Sequence, residues 1–157
     1  MKFTLIKDLK QDSMMKPILS GLLFFTLLYL VSDIFVKNSG FGVFPSAVKL
    51  TMFGNEQEFL DPISKASFLE FWHVEIFFIM MIIFTLSAVY IRLSKASKSA
   101  IVVVNLMMIS AIASLISLPI SYFFNPIFIN MYVTTFFIWH ILALFSSVYS
   151  LKRLHYA

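Results

Sequence analysis

Glu70 and His73 stand three residues apart. On a helix this puts both side chains on one face, at the spacing of the Glu-x-x-His half-site that holds metal in helical bundles. A carboxylate-bridged centre of that kind uses two half-sites, and the chain has one. An outward-facing metal site built on His73 and Glu70 would draw its remaining ligands from Glu56, Glu58 or Asp61 in the stretch before them. Glu70 also has a plainer reading, because Ser67-Phe68-Leu69-Glu70 matches a capping box in which the glutamate reaches back to the first turn. Glu75 falls about 200° around the helix from His73 and points elsewhere.

His140 is the second candidate. It lies inside a long apolar run, and a histidine inside a membrane span is a functional hypothesis by default, since burial without a partner is costly. It reads either as a neutral imidazole holding a Ser, Thr, Asn or carbonyl of a neighbouring span, or as a ligand of haem b or a metal, or as a proton-transfer or quinone-contacting group. Ala143 and Ser147 share its helical face on one side and suit a neighbouring helix; Phe136 and Phe137 on the other side suit lipid equally well. At ~1.5 Å per residue, His73 stands about 28 Å above Arg92 but His140 only about 18 Å above Lys152. That offset of about 10 Å argues against one haem iron held between the two histidines. A haem held by His140 with a methionine, or by His73 with another ligand, escapes the objection. The nine methionines are also ordinary bundle filler. His155 follows Lys152 and Arg153 and reads as a solvated tail residue.

Composition decides what kind of element positions these groups. Of 157 residues 60% are hydrophobic and 13% are charged, which no soluble domain of this size could cover with polar surface. There is no cysteine, so disulfides, thiolate metal sites, iron–sulfur clusters and cysteine nucleophiles are excluded. No Gly-rich phosphate loop, HExxH, nucleophile elbow or dinucleotide fingerprint occurs among only four glycines. The pI near 9.4 is an orientation signal rather than a nucleic-acid one, because the bases flank apolar runs.

The apolar runs give an all-α, polytopic membrane protein with four transmembrane helices forming one bundle, at about residues 17–36, 67–92, 100–124 and 127–151, joined by an outer loop at 37–66. The run of uncharged residues from Ile76 to Ile91 has acids before it and Arg92, Lys95 and Lys98 after it, the profile of a helix that crosses a bilayer in one direction. Asp33 comes about one turn inside the far end of the first span, where it can snorkel or cap, or be buried. In the loop, Pro45 near the start and Gly54 just past the end of an apolar stretch mark a short helix lying on the membrane surface or over the bundle mouth. Asp61-Pro62 offers a further helix start. On the third span Ser110, Ala113, Ser114, Ser117 and Ser121 recur at helical spacing and allow close approach of another helix, and Pro119 should kink its outer end. The N-terminal segment, the Arg92–Lys98 loop and the tail carry nine Lys/Arg and two acids, whereas the long loop and adjoining helix ends carry three and six. Both termini are therefore expected on the cytoplasmic side. Trp72-His73 and Trp139-His140 hint at an internal repeat, but the tyrosines that follow demand a different register.

The segment Phe53-Gly54-Asn55-Glu56-Gln57-Glu58-Phe59-Leu60-Asp61-Pro62, followed by Leu69-Glu70 and His73, resembles small four-helix inner-membrane proteins of Proteobacteria over roughly residues 41–92. In those proteins a second histidine stands two places after the first; here the position is Glu75. The resemblance implies a multi-pass protein of the bacterial inner membrane in which the loop and helix mouth matter, and it implies no reaction. With few polar interruptions in its spans, the chain is expected to be a non-catalytic subunit or accessory protein of a larger membrane complex, for example a respiratory one, in contact with lipid and with other subunits or copies of itself. The competing reading is a small electron-transfer protein with haem b, or a metal, at His73 or His140.

Overall fold

The computed structural model describes residues 14–156, except for the side chain of Glu58. Five of the charges in the orientation count, Lys2, Lys7, Asp8, Lys10 and Asp12, lie outside the described residues. The described residues form an all-helical fold: α1 (Met15–Gly40), α2 (Pro45–Phe53), α3 (Lys65–Leu93), α4 (Lys98–Phe123) and α5 (Phe128–Tyr156), with one 3₁₀ turn at Glu56–Glu58. Among the described residues the only β pairing is an isolated bridge between Asn55 and Leu60. α1, α3, α4 and α5 are long and apolar enough to cross a membrane. Their 26 to 29 residues span roughly 39–44 Å, more than the ~30 Å hydrocarbon core, so each extends beyond it.

Local chemistry sets where these helices begin and end. The α2 boundaries follow the Pro-first, Gly-after rule: Pro45 opens the helix and Gly54 closes it, with its N–H donating to the Leu50 carbonyl at 2.8 Å. Gly54 has φ +72°, and a Cβ there would collide with the Leu60 carbonyl oxygen. Gly42 makes the sharper turn between α1 and α2. Its φ is +95° and a Cβ would sit 2.7 Å from that of Ala47, so only glycine lets α2 fold back this closely. α3 begins one turn earlier than the capping box at Ser67 implies. Ser64 is its cap, with its Oγ accepting the Ser67 N–H at 3.1 Å, and Ser67 and Glu70 are left exposed. No helix starts at Asp61-Pro62; the chain there is extended into the Ser64 cap. α4 is capped in the same way by Ser97 and continues through Pro119.

α5 is the hub and contacts each of the other four helices, α4 most extensively. The small residues are concentrated there: Ser110, Ser114, Ser117 and Ser121 of α4, and Ala143, Ser146, Ser147 and Ser150 of α5, are all buried. Side chains this small let backbones approach, which is how helices associate where lipid removes the hydrophobic drive. α1 is the least enclosed span, with 22% of its apolar window buried against 39–44% for the other three. At the mouth of the bundle, Val48 and Met52 of α2 pack into a cluster with Phe41, Phe68, Leu118, Ile129, Tyr132 and Val133. Phe68 stacks on Tyr122 with ring centroids 4.0 Å apart. At the other end the Oγ of Ser20 lies 2.9 Å from Nε2 of His155, placing the start of α1 beside the end of α5. His155 is thus exposed but hydrogen-bonded, and α5 stays helical through it.

Candidate functional site

Asp33 and Lys37 are one turn apart on α1, and both face into the bundle rather than toward its surroundings. Lys37 lies within α1, although by its place in the sequence it heads the outer loop. Its Nζ donates to Oδ2 of Asp33 at 3.0 Å and to Oε2 of Glu75, on α3, at 2.7 Å. The face of Phe136, from α5, covers the same ammonium at 4.5 Å, within cation–π range. Lys37, Asp33 and Glu75 are only 3%, 8% and 7% exposed, so this contact between three helices holds its charges away from water.

The cluster lies below the mouth of the bundle. Asp33 is seven residues from the end of α1, Glu75 ten from the start of α3 and His140 twelve from the start of α5, depths of about 10, 15 and 18 Å at ~1.5 Å per residue. Above it, Phe41 stacks on Phe71 with centroids 4.4 Å apart and meets Tyr132 edge-on at 6.4 Å. These aromatic rings and the α2 side chains form a dry lid. In such surroundings an ion pair is held by geometry: with its hydrogen bonds made it is tolerated, and with one partner removed it is strongly destabilising.

His140 is 1% exposed and touches the cluster from beneath. Its Nε2 is 2.7 Å from the backbone carbonyl of Leu30 on α1. A carbonyl oxygen only accepts, so Nε2 carries the hydrogen. In the neutral ring Nδ1 is then a bare lone pair; among the described residues it has no hydrogen-bond partner, and it faces Oδ2 of Asp33 at 3.9 Å. Of the readings open to His140, this geometry realises the one in which it holds a carbonyl of a neighbouring span. Phe136, which suited lipid as readily as a helix contact, is buried beside it with ring centroids 5.0 Å apart.

The other candidate residues lie elsewhere. His73 and Glu70 are exposed on α3 and take no part in the cluster, and Glu56 and Asp61 are exposed in the loop. Among the described residues no three His, Asp or Glu side chains gather in a way that could hold a metal ion. His73 and His140 occupy opposite environments, one on the surface and one packed against α1. Trp72, next to His73, donates its indole N–H to the Leu115 carbonyl at 2.9 Å and ties α3 to α4.

The residues that sequence reasoning missed are Lys37 and Glu75, together with the buried role of Asp33. Asp33 and Lys37 carried a usable signal: opposite charges at i, i+4 at the edge of an apolar run can satisfy one another on the inward face. Glu75 carried none, because its partner is 38 residues away. The chain matches a family model described as a transmembrane helical domain over residues 42–157. No curated protein matches it, and no solved structure does.

Proposed function

The chain belongs to the transmembrane helical domain family, and on that premise we propose that it is a non-catalytic subunit or accessory protein of a larger membrane assembly. It would form one integral-membrane bundle in the bacterial inner membrane, with both termini cytoplasmic and the acidic loop outside. The observation that carries this reading is the direction in which its polar groups turn. Lys37 is held by Asp33 and Glu75, Nε2 of His140 by Leu30, and Trp72 by Leu115, so these polar groups of the spans join the chain's own helices to one another. The bundle's polar chemistry thus serves to hold α1, α3 and α5 in one arrangement, as a packing component requires.

The outward surface agrees with that role. Between α3 and α4 runs an apolar groove of about 240 Å³, with Ile76, Met80, Phe84, Ile112 and Leu115 along it and Ala111 in its lining. Lipid is as apolar as these side chains, so shape rather than hydrophobicity would recruit a partner helix. The test is gentle solubilisation of the full chain, followed by native mass measurement and quantitative co-purification. A second chain at fixed stoichiometry, lost when the groove is obstructed by Ile112→Trp, supports the reading; a protein that runs alone at its own mass overturns it. The same preparation distinguishes the electron-transfer alternative through an oxidised and reduced visible spectrum with metal analysis. A haem band, or stoichiometric metal, that disappears in His140→Ala or His73→Ala would replace the packing role with a redox one.

A further inference from the structure

We propose that His140 and Asp33 form a binding site for a single proton, shared between Nδ1 of the imidazole and Oδ2 of the carboxylate across the α1–α5 contact. The Leu30 carbonyl claims the N–H at Nε2, so the neutral ring turns a lone pair toward Asp33. Two acceptors then face each other at 3.9 Å, with no other partner for Nδ1 among the described residues. A charge-assisted hydrogen bond between these atoms runs about 2.7–2.9 Å, so the contact is about 1 Å too long for one. A proton taken from water and placed on either atom turns the facing acceptors into donor and acceptor.

Charge counting points the same way. The groups facing this site are Asp33, Lys37 and Tyr29 from α1, Glu75 from α3, and Tyr132, Phe136 and His140 from α5. The ionisable side chains of α4, Lys98 and Tyr122, lie at its two ends. With both carboxylates and the ammonium ionised, the cluster carries a formal charge of −1 in a place closed to water. One added proton makes it neutral, and neutrality is the state that a dry, low-dielectric interior favours. Among the described residues facing the site, Lys37 is the only cation. Proton binding would therefore draw α5 and α1 together, and α1 is the span least held by packing. The site sets how firmly α1 is clasped.

The test uses full-length protein in lipid nanodiscs, labelled with ¹⁵N-histidine. The exposed His73 and His155 are replaced by Gln, so that His140 is the only labelled ring. Imidazole ¹⁵N resonances and the carboxyl infrared difference spectrum are followed from about pH 4.5 to about pH 9, a window that brackets histidine and carboxyl titration. The expected result is uptake of one proton per chain, with the Nδ1 resonance and a carboxyl band changing together at one midpoint. In Asp33→Asn the carboxyl change should vanish, and the imidazole's proton affinity should differ about tenfold or more from that of the parent. An Nδ1 resonance and carboxyl band that both stay constant across the range would overturn the proposal, as would an imidazole transition unaltered by Asp33→Asn. Should Asp33→Asn fail to fold, the parent protein still decides: separate midpoints for the two signals mean that the proton is not shared.

Discussion

Replacing Lys37 with methionine keeps most of the side-chain volume and removes the single positive charge of the cluster. In the native bundle that ammonium donates to Asp33 at 3.0 Å and to Glu75 at 2.7 Å, under the Phe136 ring at 4.5 Å. Lys37→Met leaves two carboxylates facing each other in a site where all three residues are less than one-tenth exposed. Removing one partner of a buried ion pair costs about 3–5 kcal/mol, because the remaining charge is stranded. At ~1.4 kcal/mol per factor of ten, the folded population relative to the unfolded should fall by roughly two to three and a half orders of magnitude. The control is Asp33→Asn/Lys37→Met/Glu75→Gln, which removes every formal charge while keeping volumes close. Neutral replacements of a complete buried ion set are often harmless, so this variant should regain more than half of the loss. Reversible unfolding in mixed micelles provides the assay, read through Trp139, which is fully buried with its ring centroid 4.7 Å from that of His140. A Lys37→Met protein within about 1 kcal/mol of the parent would mean that Lys37 reaches solvent. A triple variant as unstable as the single one would mean that charge imbalance is not the cause. Either result refutes the clasp.

Three further outcomes are expected. Phe136→Leu keeps an apolar side chain but removes the ring over Lys37, and should cost about 0.5–2 kcal/mol of cation–π attraction in the same unfolding assay; no loss would show that the ring is only filler. Trp72→Phe removes the hydrogen bond to Leu115 and should lower stability by about 0.5–1.5 kcal/mol, with Trp139 emission in the native state unchanged; a shifted emission would show that α3 had moved at the cluster. Gly42→Ala forces a side chain into φ +95° against Ala47 and Val48. It should cost about 1–3 kcal/mol and expose the α1–α2 turn to protease, whereas an unchanged cleavage pattern would show that α2 does not depend on that turn.

The fold was legible because a membrane span shows itself through length, apolarity and charged ends, and Pro45 and Gly54 punctuate α2 independently of its surroundings. The start of α3 was misplaced by one turn because Ser64 and Ser67 are both competent caps. Ser64 is the one used, its Oγ accepting the Ser67 N–H, and both serines offer the same capping chemistry. The site was legible only in part, and the reason is physical. A charge near the end of a span looks the same in sequence whether it points outward to water or inward to a counter-charge, so Asp33, Lys37 and Glu75 all entered the orientation count as outward groups. Their inward turn depends on which face of α1 meets α3 and α5, a tertiary fact that periodicity alone cannot supply for a helix apolar nearly all round.

What distinguishes this cluster from a simple electrostatic staple is the fourth member, His140. A staple needs equal and opposite charges, and Lys37 with either one of its two carboxylates would have provided that. The chain instead places two acids on one ammonium and then sets beside one of those acids an imidazole whose outer nitrogen is already committed to Leu30. The unspent lone pair at Nδ1 and the surplus formal negative charge of the cluster are thus adjacent, and one proton resolves both. If holding α1 were the whole purpose, an asparagine at position 33 would serve, because its amide oxygen would still accept from Lys37, Lys37 and Glu75 would balance, and the amide nitrogen could donate toward Nδ1. Asp33→Asn therefore separates the two roles. A purely structural clasp should become as stable or more so and show no pH dependence between α1 and α5 in either protein, whereas a clasp that works by taking up a proton should depend on pH in the parent and lose that dependence in the variant. Comparing the pH dependence of α1 accessibility in the two proteins, by hydrogen exchange at the amides of residues 30–37, distinguishes these outcomes. Equal, pH-independent protection in both would leave Asp33 no role beyond pairing with Lys37.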